Sequence, residues 1–123
     1  MTDQHPAGLT VTTDDDVVTV HCVGELDLST AGTLREALLE PIRAGARGVV
    51  ADLTETTFCD STVFSVLVEA YRDATARNVP YAIAAGEAAV ARPLQILGLN
   101  RLLPLHTGRD TAQAAVTGQA AAG

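Results

Sequence analysis

No lysine occurs in the 123 residues, and the eight basic side chains are all arginine. A P-loop needs a lysine on its phosphates and Schiff-base chemistry needs a lysine amine, so both enzyme classes fall away. Positive charge is itself scarce, with eight arginines against 15 acids and a formal charge of −7. A surface of that sign repels the backbone of a nucleic acid instead of neutralising it. The two cysteines, Cys22 and Cys59, have no C-x-x-C spacing, which excludes the common redox and zinc motifs and reads as buried free thiols in a reducing compartment. The three histidines, His5, His21 and His106, are scattered and show neither metal-ligand spacing nor a nucleophile partner. The opening "MTDQHPAGLT" has no basic stretch and no apolar segment of leader length, and no window approaches a membrane span. These absences lead to the expectation of a cytoplasmic protein with no metal, no cofactor, no nucleic acid and no membrane among its partners.

What is present is 47% hydrophobic residues in a length that suits one domain with one core. "LTVTT" and "VVTVHCV" alternate and are β-branched, with Asp14, Asp15 and Asp16 between them as a turn, so a hairpin is expected there. Leu34, Ala37, Leu38 and Ile42 recur at helical spacing behind Ser29 or Thr30 as cap, and Pro41 is expected to kink or shorten that helix. "VVADL" reads as a strand covered on both faces. A second helix is predicted from about Ser61, with Val63, Phe64, Val66, Leu67, Ala70, Tyr71 and Ala74 as its inward stripe. On its outer side Glu69 can pair with Arg72 and Asp73 with Arg77. "YAIAA" is a strand, and "AAVARPLQILGL" a short helix, kinked or started by Pro93 and closed at Gly98, with Leu99 packing back on Leu94. "LLPLH" is an edge strand because of Pro104, and "DTAQAAVTGQ" a last helix capped by Asp110.

Strand and helix alternate from the second strand onward, which implies a largely parallel sheet with right-handed crossovers. The loops at the carboxyl ends of parallel strands share one rim, so Asp27, the pair Asp60 and Ser61, and Gly86 are expected to lie together. Known chemistries on such a rim do not fit. "GELDLSTAG" is not G-x-G-x-x-G, Ser61 is not within G-x-S-x-G, and a receiver-type acid cluster lacks its lysine. An acid and two hydroxyls at 60–62 suit a helix cap, and they also suit a covalently modified hydroxyl.

"GELDLSTAGTLREAL", "VVADLTETTFCDSTVFSVLVEAYRDA" and "ARPLQILGLNRLLPLH" resemble the three blocks of the STAS domain in its bacterial anti-sigma-factor antagonist form. The resemblance covers residues 9–116, with 1–8 as a flexible tail and 117–123 as a frayed one. It implies a single α/β domain, a mixed and mostly parallel sheet of four to five strands with about four helices mostly on one face, and no catalytic activity. It also implies partner switching. An anti-sigma factor with serine kinase activity is bound by the unmodified protein and released when the serine is phosphorylated, and a serine/threonine phosphatase restores binding. The matching serine is Ser61, with Thr62 as second choice, and the implied partner contacts are Asp27, Ser29, Asp60, Thr62, Val63 and Phe64. The family's Asp-Ser-Ser/Thr motif usually runs on into glycine, an aliphatic residue and a small residue, where this chain has Val63, Phe64 and Ser65. A STAS interaction module without phosphorylation, in a signalling or lipid-transport assembly, is the alternative. By itself the protein is expected to be a monomer or weak dimer.

Overall fold

The computed structural model describes residues 2–5 and 8–118. In chain order the elements are β1 (Thr2–His5), β2 (Leu9–Asp14), β3 (Val17–Leu26), α1 (Leu28–Arg43), β4 (Gly48–Cys59), α2 (Ser61–Ala76), β5 (Tyr81–Ala85), α3 (Arg92–Ile96), β6 (Leu105–His106) and α4 (Arg109–Thr117). A π turn, Glu87–Ala91, leads into α3, and a 3-10 turn, Leu99–Arg101, follows it. The strands form one sheet in the order β1-β2-β3-β4-β5-β6. The first two pairings are antiparallel, and those from β3 to β6 are parallel, each crossing through a helical segment.

The β2–β3 hairpin closes through a two-residue loop, Asp15 and Asp16, both with positive φ of 54° and 63°. Such a turn matches the twist of the flanking strands, and aspartate tolerates the left-handed region better than most residues. The loop is fastened by Arg47, whose N–H donates to the Asp16 carbonyl at 3.0 Å and whose guanidinium pairs with Asp15. Further along β3, Gly24 has φ of 87° at a shift in register against β4, where an L side chain would strain the backbone. The bulge keeps the ends of the two strands level.

Helices α1 and α2 lie side by side on one face of the sheet. Leu34, Leu38 and Ile42 of α1 and Leu67 and Ala70 of α2 are fully buried against Val20, Leu26, Leu53 and Ile83 of the strands. Each such leucine or isoleucine contributes about 1.5–3 kcal/mol on burial. Val66 is buried too, and Tyr71 packs against this core half-buried, so the register expected for α2 holds. The helices are joined outside the core by Arg35, which donates to both carboxylate oxygens of Glu69 at 2.8 and 2.7 Å, and by Arg43, 2.9 Å from Asp73. Asp73 also meets Arg77 as expected, but Glu69 turns to Arg35 and not to Arg72. Helix α4 covers the other face, where Ala112 and Val116 seal Val17, Val50, Ala82 and Ala84.

That second face holds a charged group. Asp52 of β4 is fully buried, and its Oδ1 accepts from Thr54 N at 3.1 Å and Thr54 Oγ1 at 2.7 Å. Its Oδ2 accepts from Arg109 Nε at 2.6 Å, which fastens the start of α4 to the sheet. His21, the β3 neighbour of Asp52 in register, places Nε2 3.9 Å from the same oxygen and 2.7 Å from Glu55 Oε2.

Several expectations are corrected. Thr2–His5, expected within a flexible tail, pairs antiparallel with β2 and adds an edge strand to the five-stranded mixed sheet of the domain. Backbone hydrogen bonds alone define that strand, and they leave no alternation in the sequence. Pro41 does not end α1, which runs on to Arg43; a proline so near the end costs only a bond in the last turn. Helix α4 is preceded by Gly108 in extended conformation, and Asp110 lies inside its first turn without capping it. The expected frayed tail beyond 118 lies outside the described residues.

Candidate functional site

Parallel pairing brings Leu26, the last residue of β3, opposite Cys59, the last of β4. Each strand then turns into a helix through one aspartate, so Asp27 caps α1 and Asp60 caps α2 on the same rim. Asp27 Oδ1 accepts from Ser29 N at 2.9 Å and Ser29 Oγ at 2.6 Å, while Thr30 Oγ1 accepts from Asp27 N at 2.9 Å and completes a capping box. Asp60 Oδ1 accepts from Thr62 N at 3.0 Å, from Val63 N at 3.3 Å and from the Thr62 hydroxyl. The Thr62 hydroxyl first, and then the N–H groups of Val63, Thr62 and Leu28, hold the Asp60 carboxyl below the usual carboxylate range. The Leu28 N–H belongs to the start of α1, so that helix start contributes to the same depression. Asp60 N donates to Leu26 O at 3.2 Å and adds a backbone tie.

This arrangement separates the acid from the two hydroxyls. Asp60 does the capping and Thr62 is bonded to it. Ser61, the first residue of α2, is exposed, and its hydroxyl makes no hydrogen bond among the described residues. Its carbonyl accepts from Ser65 Oγ at 3.1 Å, as an ordinary helical neighbour would.

Of the residues expected to meet a partner, Asp27 and Ser29 are exposed and Asp60 and Thr62 half-buried on the rim. Val63 and Phe64 are not surface residues: Val63 is 0% and Phe64 5% exposed. Helix α2 is flanked by α1 on one side and by the α3 turn on the other, so its buried arc is wide enough to take both. Only the edge of Phe64 reaches a groove of about 480 Å³ beside Ser61, whose other walls include Val68, Leu97 and Leu99. Sequence reasoning missed this groove and the exposed Leu28 at the start of α1. A signal was present in "PLQILGL", which has more apolar side chains than one turn of helix can face inward. With Leu94 buried, Ile96 and Leu97 stand outside.

Among the described residues no group of three His, Cys, Asp or Glu side chains converges as a metal site would, and no helix is long and apolar enough to cross a membrane. Burial pushes both thiols up, Cys22 strongly and Cys59 to about 12, which leaves them without a nucleophilic role.

The sequence matches the STAS domain family over residues 9–114. The chain belongs to the STAS domain family. It is 29% identical over 115 residues to the anti-sigma-F factor antagonist RsfB of Mycobacterium tuberculosis, covering 92% of this chain and 93% of that one. The crystal structure of an anti-sigma factor antagonist from Mycobacterium paratuberculosis superimposes with a TM-score of 0.79 at 28% identity, over 93% of this chain and 98% of the other. SpoIIAA, a Bacillus cell fate determinant solved in its phosphorylated form, shares the STAS fold with a TM-score of 0.68 at 17% identity, over 86% and 97% of the two chains.

Proposed function

We propose that this STAS domain is an anti-sigma factor antagonist whose binding is switched by phosphorylation of Ser61. The observation that carries the reading is the free, exposed Ser61 hydroxyl beside a cap that Asp60 already supplies. The similar proteins named as anti-sigma factor antagonists support an anti-sigma factor as the partner; in this proposal that partner carries the serine kinase activity, and a serine/threonine phosphatase reverses the modification. Thr62 is the poorer acceptor because its hydroxyl is held by Asp60 and its modification would disturb the cap.

The physics favours a switch in binding over a switch in folding. A phosphate on Ser61 adds about −1.5 to −2 charges at the start of a helix, where the helix dipole stabilises it. Docked against a partner, the same charge has to be desolvated beside Asp27, Asp60 and the apolar groove of Phe64 and Leu97. Val63 and Phe64, where the chain departs from the family's glycine-containing motif, point inward and leave the approach to Ser61 open.

The test pairs intact mass after incubation with a serine kinase anti-sigma factor and ATP with calorimetry on the product. One phosphate is expected on the wild type and none on Ser61→Ala. Ser61→Ala should bind like the unmodified protein, and the phosphorylated form at least about tenfold more weakly, or about 1.4 kcal/mol. Equal affinities of folded phosphorylated and unmodified protein would refute the switch. Absence of modification at Ser61 would leave a STAS interaction module that does not switch.

A further inference from the structure

The helical layer carries two surface features at its opposite edges, one beyond α1 and one beyond α2. At the edge beyond α1, a groove of about 310 Å³ runs between that helix and the β2–β3 hairpin. Its lining is largely apolar, with Val11, Val18, Ala37, Pro41 and Ala44 beside Thr13 and Thr33, and it includes Glu36 and Glu40, one helical turn apart. Both glutamates are exposed, and neither forms an ion pair among the described residues, because the arginines of α1 turn the other way, to Glu69 and Asp73. At the edge beyond α2, the α3 turn projects Ile96, Leu97 and Leu102 at 79%, 59% and 41% exposure. Arg92 and Arg101 flank that knob, exposed and likewise without an ion pair among the described residues.

We propose that the knob of one copy docks in the groove of a second copy, so that the chain associates head to tail. The two features complement each other in both respects that matter. Apolar side chains left in water on one edge meet an uncovered, largely apolar lining on the other, and two unpaired cations meet two unpaired anions. An overall charge of −7 opposes non-specific self-association, so such a contact depends on a local reversal of sign, which the knob provides. Because knob and groove are different surfaces, the contact is heterologous and can repeat. Three apolar side chains and two ion pairs make a small interface, so the association is weak and fast. Leu97 also lines the groove beside Ser61, so a docked copy covers part of that surface. The competition this creates with an anti-sigma partner rests on the function proposed above, whereas the association itself does not.

Sedimentation velocity of the full chain alone is the test, run from dilute protein to about 1 mM, the range in which a weak contact populates. The wild type should show a concentration-dependent rise in average mass above that of one 12.7 kDa chain. Glu36→Arg with Glu40→Arg, and separately Arg92→Glu with Arg101→Glu, should each weaken the association at least about tenfold by setting like charges face to face. Mixing the two variants in equal amounts restores opposite charges at both contacts and should restore the association. A wild type that stays monomeric to the highest concentration overturns the proposal and leaves the groove to a different protein. Association that survives both charge reversals, or folded variants that do not associate when mixed, also overturns it. Circular dichroism of each variant shows that loss of association is not loss of fold.

Discussion

Removing Arg109 tests how α4 is held. Asp52 is fully buried, and its two oxygens divide their acceptance between Thr54 and Arg109, so Arg109→Met strands Oδ2 with His21 Nε2 3.9 Å away. Breaking a buried ion pair from one side costs about 3–5 kcal/mol. Arg109 is 46% exposed, and the imidazole and incoming water recover part of the loss, which brings the expected cost to about 2 kcal/mol. At roughly 4 °C per kcal/mol for a domain of this size, Tm falls by about 8 °C. Urea unfolding of wild type, Arg109→Met, Asp52→Asn and the double variant measures it, through the midpoint at constant slope. The double variant should be more stable than Arg109→Met, since it leaves no unpaired charge in the interior. If Arg109→Met stays within about 0.5 kcal/mol of wild type, the range of ordinary surface changes, Arg109 does not clamp α4.

Three further outcomes follow from the packing. Cys22 and Cys59 should resist a thiol reagent in the folded protein at pH 8 and react fully in denaturant, because burial holds both thiols protonated, Cys59 up to about 12; rapid labelling of native protein would contradict the core assignment. A Cβ on Gly48 would stand 2.8 Å from Val116 Cβ and 2.9 Å from its Cγ2, so Gly48→Ala should cost about 1–3 kcal/mol and Val116→Ala should relieve part of it in the double variant. The Asp60 carboxyl is depressed by its cap bonds, so its contribution is complete above the unfolded-state value of about 3.9 and is lost as pH falls through the lower folded-state value. The stability advantage of wild type over Asp60→Asn should therefore disappear on acidification through that window, and an advantage independent of pH would show that the charge is not what caps α2.

The legible parts of the sequence were those where one side-chain pattern repeats. Alternation marked β2 and β3, and a seven-residue stripe marked the inward face of α2, which the burial of Val66, Leu67 and Ala70 bears out. Parallel topology then placed Asp27 and Ser61 on one rim, where the two helix starts lie. What stayed hidden depends on partners far apart in the chain. Strand β4 extends past "VVADL" to Cys59 because β3 continues beside it, although Thr54–Thr57 carries little apolar pattern of its own. The partner of Asp52 inside that apolar run, Arg109, lies 57 residues away in the chain. Asp110 was the better cap by residue type, yet the cap falls two residues earlier at Gly108, and Arg109, as the first helical residue, reaches Asp52.

The same dependence on a neighbour decides the reading of "DST" at 60–62. Any of the three side chains can cap a helix, and a local sequence offers no reason to prefer one. The choice is made by β3: its last carbonyl, Leu26 O, accepts the N–H of Asp60, which holds residue 60 in extended conformation with φ −91° and ψ 177°. A helix that begins after a residue so held has its first turn at Ser61, and the cap position falls to Asp60. A slip of one residue would turn Ser61 into the cap and bind its hydroxyl to the backbone. The strand pairing therefore frees that hydroxyl, and the carboxylate that replaces it as cap remains beside it on the rim. A phosphate added at Ser61 would meet a site already acidic from Asp60 and Asp27, so repulsion can act on a bound partner while the helix start stays capped.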